Sequence, residues 1–153
     1  MAIPFVFGAA SVLTKTSFAI DLSPAIFIIA LIAFLTGAGR EIMKDVMDFE
    51  GDKEEGVRSF PRYIGIRKSN MISAFFYIIA IALSFLPFFM SCYDVYYQNY
   101  YYFSFVMVTD TMLLSTSLQL IFKKQINLRF YRKFTLVAIF FGLMAFLVGA
   151  FIR

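Results

Sequence analysis

The chain has 153 residues, of which 61% are hydrophobic and 16% charged, and its formal net charge is +4. Soluble domains usually carry about 25% charged residues, so this composition excludes an ordinary water-soluble fold. The sequence has no histidine and a single cysteine, Cys92. It therefore excludes an intrachain disulfide, a thiolate metal cluster and histidine-based acid–base chemistry.

Five apolar stretches are predicted to be helices, because a spanning segment must satisfy its own backbone hydrogen bonds. They cover residues 2–13, 22–39, 70–93, 101–122 and 134–152. The last four are long enough to cross roughly 30 Å of hydrocarbon. The first has only about 12 residues, fewer than a spanning helix needs, so we expect the chain to begin inside a helix and to be N-terminally truncated. The predicted fold is an all-α, polytopic transmembrane bundle of about five helices, forming one membrane domain over residues 1–153.

Lysine and arginine are distributed unevenly along the chain. Residues 40–68 contain seven and residues 123–133 contain five, together 12 of the 14 in the sequence. Two predicted helices separate these segments, so both lie on one face of the membrane, which the positive-inside rule makes cytoplasmic. We therefore predict a multi-pass cell-membrane protein in which residues 40–69 form a cytoplasmic Asp-rich loop. Membrane topology accounts for the positive charge, which consequently does not indicate nucleic-acid binding.

Tyrosines and basic residues are predicted to anchor the helices at the two boundaries. At the cytoplasmic boundary, lipid headgroups are the expected contacts of Lys123, Lys124, Arg129, Arg132 and Lys133. At the opposite boundary, the expected anchors are Tyr93, Tyr96, Tyr97, Tyr100, Tyr101 and Tyr102.

Acidic residues in the charged segment are spaced for one face of a helix. No proline or glycine interrupts the segment before Gly51, so the second predicted helix should continue past the membrane boundary to about Phe49. Positions i, i+4, i+7 and i+11 of that helix are occupied by Glu41, Asp45, Asp48 and Asp52. Such a stripe of carboxylates suits a hard cation such as Mg²⁺, which commonly bridges to substrate phosphates.

A second interpretation of the charged segment is a solvated connector. It contains seven acidic and seven basic residues, and such a neutral, highly charged segment is often only a linker. An EF-hand is excluded, because its ligands alternate at every second position. Spacing alone leaves the choice between metal site and connector open.

Family resemblance favours the metal site. The run Arg40-Glu41-x-x-Lys44-Asp45-x-x-Asp48-x-x-Gly51-Asp52-x-x-x-Gly56-x-x-Ser59-Phe60-Pro61 resembles the second aspartate-rich motif of the UbiA-type intramembrane prenyltransferases. Within that family, its Arg-Glu and Gly-Asp pairs are most similar to the archaeal geranylgeranylglycerol-phosphate geranylgeranyltransferases. The resemblance covers essentially the whole chain and implies the second half of a nine-helix fold.

The resemblance also implies a function, a cofactor and site residues. It implies an enzyme that transfers a prenyl group from its diphosphate to a membrane-associated acceptor in the lipid bilayer, with Mg²⁺ as cofactor. The implied metal ligands and catalytic residues are Asp45, Asp48 and Asp52; the implied substrate-binding residues are Arg40, Lys44 and Arg58.

The identity of the acceptor and the completeness of the site stay open at this point. The archaeal branch implies the hydroxyl of an ether-lipid precursor, and the alternative is an aromatic acceptor of quinone or chlorophyll pathways. The family's first motif, of the type Asn-Asp-x-x-Asp, has no counterpart in the sequence. We therefore expect activity only together with a separate N-terminal half; otherwise the chain is a non-catalytic membrane fragment or subunit.

Asp110 is the one acidic residue inside a predicted spanning helix. A charge in hydrocarbon is costly, so such a residue is a functional candidate by default. The two interpretations are a residue that lines the substrate chamber and a residue hydrogen-bonded between helices, and we favour the second.

Overall fold

The computed structural model describes residues 24–54, 59–90, 96–122 and 127–152. These residues form the helices α1 (Pro24–Glu54), α2 (Phe60–Ile64), α3 (Ile66–Ser84), α4 (Leu86–Phe89), α5 (Tyr100–Phe122) and α6 (Leu128–Phe151). Within these ranges there is no strand, and the predicted all-α class is confirmed. The first predicted apolar stretch, residues 2–13, lies outside the described residues.

Four segments of the described chain are long and apolar enough to cross a membrane. They are Ile26–Phe49, Ile66–Phe89, Tyr100–Phe122 and Leu128–Gly149. They correspond to the last four predicted stretches, so the prediction of a multi-pass membrane protein is confirmed.

Two boundaries differ from the predicted ones. Helix α1 continues past the membrane boundary as predicted, but it runs through Gly51 to Glu54, five residues beyond the predicted end at about Phe49. The predicted run 70–93 is divided at Phe85, where α3 ends and the short α4 begins. Pro87 explains this break, because proline has no N–H and its ring collides with the preceding helical turn.

Helices α1 and α3 approach closely at Gly39. The Ser73 hydroxyl donates a hydrogen bond of 2.7 Å to the Gly39 carbonyl. A Cβ atom added at Gly39 would lie 3.0 Å from Cε1 of the fully buried Tyr77. Small residues allow such close backbone approach between membrane helices, and here the contact fixes the height of α1 against α3.

Asn99 joins the beginning of α5 to the end of α6. Its Nδ2 donates hydrogen bonds to the carbonyls of Gly149, at 3.2 Å, and Ile152, at 2.7 Å. Its Oδ1 accepts the backbone N–H groups of Tyr101 and Tyr102, both at 3.1 Å. One amide thus satisfies groups at two helix ends that have no partner within their own helices.

The tyrosine segment is only partly the predicted boundary belt. Tyr97, Tyr100 and Tyr101 are exposed, as anchors at a membrane surface should be. The prediction is wrong for Tyr96 and Tyr102, which are buried; the Tyr102 hydroxyl donates a 2.8 Å hydrogen bond to the Ser84 carbonyl. Their rings fill the space between helices, because they pack at tilted or edge-to-face angles against each other and against Phe146 of α6. Tyr93 lies outside the described residues.

Candidate functional site

The carboxylate stripe lies on the side of α1 that faces away from the helix bundle. Met43 and Val46 are buried on the opposite side, and Met43 packs in one cluster with Ala74 and Tyr77 of α3. At 3.6 residues per turn, the centre of the stripe is about 160° around the helix from these two side chains. Asp48 is exposed and Asp45 is half-buried. The stripe therefore faces away from the core of the bundle formed by the described helices.

The same face of α1 is apolar along the membrane. Its exposed residues there are Phe27, Leu31 and Phe34, which continue the spacing of Glu41, Asp45 and Asp48 towards the beginning of the helix. This spacing alternates between three and four residues, which is the repeat that keeps a helix face against a partner surface. Along this straight face, the exposed side chains are apolar as far as Phe34 and acidic from Glu41 onwards.

Lys44 is held only weakly by its own helix. Its Nζ lies 3.8 Å from Oε2 of Glu41, and about half of each side chain is exposed (46% and 55%). An exposed pair of this kind contributes at most about 1 kcal/mol. The Lys44 ammonium group is therefore accessible from solvent beside the stripe.

The described part of the predicted metal site contains two carboxylates. Asp45 and Asp48 are three residues apart on one helical face. Asp52 is in the same helix, but its side chain, like the whole of Arg58, lies outside what the structure describes. Among the described residues, no three acidic, cysteine or histidine side chains form a metal-binding group. The oxygen donors suit Mg²⁺, which usually keeps several waters and takes its remaining ligands from one or two carboxylates and from phosphates.

A pocket with basic walls, which we call the basic pocket, separates α1 from the start of α6. Its volume is about 450 Å³, and its walls are Arg40, Met47, Arg129, Arg132, Lys133 and Leu136. The two basic segments of the sequence therefore meet at one end of the bundle, as predicted. The sequence assigned the α6 residues to lipid headgroups and did not predict that Arg40 would join them. In the sequence, Arg132 and Lys133 follow Arg129 by three and four residues, which already indicates that the three share one face of α6.

A second, smaller cavity lies in the middle of the bundle. It has a volume of about 60 Å³ and is lined by residues of α1, α3, α5 and α6, most of which are apolar. Asp110 and Ser84 are in its wall, and the Ser84 hydroxyl donates a 2.7 Å hydrogen bond to Oδ2 of Asp110. The favoured prediction of an interhelical hydrogen bond for Asp110 is confirmed, and the residue also borders the cavity.

Comparison with known proteins identifies the family of the chain. The model of the UbiA prenyltransferase family matches residues 1–139. The chain belongs to the UbiA prenyltransferase family. In this family member, the carboxylate stripe of α1 is the aspartate-rich segment on which the sequence resemblance rested. No solved structure matches the chain.

Several relatives of this UbiA family member carry the name digeranylgeranylglyceryl phosphate synthase. The protein from Archaeoglobus fulgidus is 39% identical over 160 residues, which cover 99% of this chain and 49% of the relative. Those from Methanosarcina mazei and Pyrococcus abyssi are 34% and 33% identical, over 82% and 80% of this chain and 41% of each relative. The chain thus spans about half the length of the curated relatives it matches.

Proposed function

We propose that this chain forms one wall of a Mg²⁺-dependent prenyltransferase site that adds a prenyl group, of geranylgeranyl length, to a hydroxyl in ether-lipid synthesis. The observation that carries the proposal is the straight face of α1, which is apolar inside the membrane and acidic just beyond it. A prenyl diphosphate also has an apolar part and a charged part: its hydrocarbon tail suits the apolar part of the face, and its diphosphate suits the acidic part if Mg²⁺ lies between them. The names of the relatives support the choice of acceptor.

The proposed roles follow from the chemistry of each side chain. Asp45, Asp48 and Asp52 would hold Mg²⁺, which when bound neutralises the charge that develops on the departing diphosphate. Lys44 and Arg58 supply positive charge to the diphosphate oxygens, and Arg40, on the side of α1 next to the stripe, binds a substrate phosphate from there. In the reaction, the bond between the first prenyl carbon and the diphosphate oxygen breaks. The acceptor oxygen then bonds to that carbon and releases its proton.

The site needs a second group of carboxylates opposite the stripe. The stripe lies on the side of α1 opposite the buried Met43 and Val46, so its carboxylates face away from the core of the bundle. We propose that a segment with an Asn-Asp-x-x-Asp motif, absent from these 153 residues, occupies that position.

Complementation tests this proposal. The chain is expressed alone, or together with the half of the Archaeoglobus fulgidus relative that it does not match, and membranes are given geranylgeranyl diphosphate and geranylgeranylglyceryl phosphate. We expect transfer only from the combined halves, and complete loss of transfer with EDTA. Transfer by the chain alone would contradict the need for a second group, whereas inactive combined halves beside an active intact relative would refute the function.

The same assay distinguishes the acceptors. Replacing the glyceryl phosphate with an aromatic acceptor such as 4-hydroxybenzoate should abolish product formation. Preference for the aromatic compound would instead support an aromatic acceptor, as in the quinone-type branch of the family.

The acidic end of α1 is proposed to lie in the cytoplasm, because the two basic segments meet there. Cys92, the only cysteine, then lies towards the outer face. A membrane-impermeant maleimide should label Cys92 in intact cells and should give no additional labelling after lysis. If Cys92 were labelled only after lysis, the proposed orientation would be wrong, and the acidic end of α1 would lie outside the cell.

A further inference from the structure

The wall of the basic pocket contains four positive side chains. Among the residues that the structure describes, none of Arg40, Arg129, Arg132 and Lys133 has a carboxylate oxygen within 4.0 Å. The Nε atom of Arg40 is buried and has no hydrogen-bond partner. Collected like charges and a buried unpaired donor are both unfavourable unless an anion compensates them. The pocket is therefore suited to an anionic ligand.

The geometry of the pocket favours a phosphate group. Three of its four cations are arginines, whose planar guanidinium groups bind phosphate oxygens in pairs. Helix α6 begins directly before them, with the Asn127 side chain accepting the N–H of Phe130 at 3.3 Å. The positive end of the helix dipole thus adds to the side-chain charges.

The pocket also has an apolar side that continues into the membrane. Met47 is part of its wall on α1, and Leu136, which is 54% exposed, lies one turn deeper than Arg132 on α6. A free phosphate ion would leave these side chains without contacts. A phosphate attached to a hydrocarbon chain would satisfy both the basic and the apolar parts.

The basic pocket adjoins the carboxylate stripe but does not overlap it. Around α1, Arg40 and Met47 lie about 120° from the centre of the stripe, and Lys44 lies between the stripe and these two residues. A helix with side chains is only about 10 Å across, so ligands in the two places are close neighbours. Since two phosphate groups repel each other, holding both at this distance would need the positive side chains of the pocket for one and a cation bound by the stripe for the other.

We propose that the basic pocket binds the phosphate of the acceptor, a prenylated glyceryl phosphate, while the stripe holds the diphosphate of the donor. This inference rests on the proposed function and assigns the second substrate of the same site. Arg40, Arg129, Arg132 and Lys133 position the acceptor through its phosphate. The free hydroxyl, on the same glycerol unit, then faces the stripe and the first carbon of the prenyl donor.

A binding measurement tests the assignment without catalysis. The full chain is purified in dodecyl maltoside, which contains no phosphate, and is titrated in EDTA with geranylgeranylglyceryl phosphate or with geranylgeranylglycerol. We expect the double variant Arg132→Gln/Lys133→Gln to bind the phosphorylated compound at least about 10-fold more weakly than the unchanged chain. Binding of the compound without phosphate should be the same in both proteins.

The matched control removes the same charge from the same end of the bundle. Arg67 and Lys68 are exposed in the first turn of α3 and are not part of the pocket wall. Arg67→Gln/Lys68→Gln should bind like the unchanged chain, and equal elution volumes in gel filtration verify that both variants are folded. Equal affinity losses in the two variants, or none in either, would overturn the proposal.

Competition distinguishes the acceptor from ordinary membrane lipid. Phosphatidylglycerol offers the same phosphate chemistry, and we expect it to displace geranylgeranylglyceryl phosphate only at concentrations at least about 10-fold higher. Equal displacement would make the pocket a general headgroup site and would overturn the proposal. Failure of prenyl transfer in the complementation assay, with selective phosphate binding intact, would instead refute the proposed function alone.

Discussion

Asp48→Asn is expected to lower Mg²⁺-dependent prenyl transfer by at least about 100-fold in the complemented enzyme. Asp48 is exposed on the stripe and, among the described residues, has no ion pair. The substitution keeps the size of the side chain and removes one negative charge from the proposed metal ligands. The rate is measured as a function of Mg²⁺ concentration, and the concentration for half-maximal rate should rise.

Glu50→Gln is the control for this experiment. Glu50 is in the same helix and loses the same charge, but its position is about 160° around α1 from the centre of the stripe. Its activity should stay within about twofold of the unchanged enzyme. Equal rates for Asp48→Asn and the unchanged enzyme would mean that the stripe is only a solvated helix face. Equal losses in both variants would indicate a general effect of charge.

Gly39→Ala is expected to lower the free energy of unfolding by about 1–3 kcal/mol. The added methyl group would lie 3.0 Å from Cε1 of Tyr77 and 3.2 Å from the Ser73 carbonyl oxygen. A buried ring and a helix backbone cannot easily move away, so α1 would have to shift against α3. Heating the detergent-solubilised chain and measuring the folded fraction by gel filtration gives the change in stability.

Gly142→Ala is the matched control in another spanning helix. The atom nearest to its added methyl group would be Cγ2 of Thr109, at 3.4 Å, which is ordinary van der Waals contact. Alanine also favours a helix over glycine by about 1 kcal/mol, so this variant should be as stable as the unchanged chain or slightly more stable. Equal stability of the two variants would show that the close approach at Gly39 does not hold the helices together.

Much of the fold could be predicted from the sequence, because membrane solvation acts on single segments. Uninterrupted apolar runs gave the four spanning helices, and the spacing of Asp45 and Asp48 gave the stripe. The predicted helix ends were wrong where a glycine or a proline acts against an apolar or helical run. Gly51 lies inside α1, since a helix that is already formed tolerates a glycine at a cost of about 1 kcal/mol. Pro87 divides the following apolar run, because a proline interrupts a helix even where the hydropathy continues.

The arrangement of side chains between helices could not be predicted. The burial of Tyr102 depends on its hydrogen bond to the Ser84 carbonyl, 18 residues earlier in the chain. Similarly, the basic pocket requires Arg40 and Arg132 to meet across two helices that are far apart in sequence. Periodicity shows which residues share a helix face, but it does not show which helix that face contacts.

Asn99 has a mechanical consequence for the two helices that it joins. Its four hydrogen bonds fasten α5 to α6 at the end remote from the basic pocket. The opposite ends of the two helices are also packed together, because Leu120 of α5 lies in one cluster with Leu128 and Tyr131 of α6. Helices α5 and α6 are thus joined at both ends, so we expect them to move as one rigid unit.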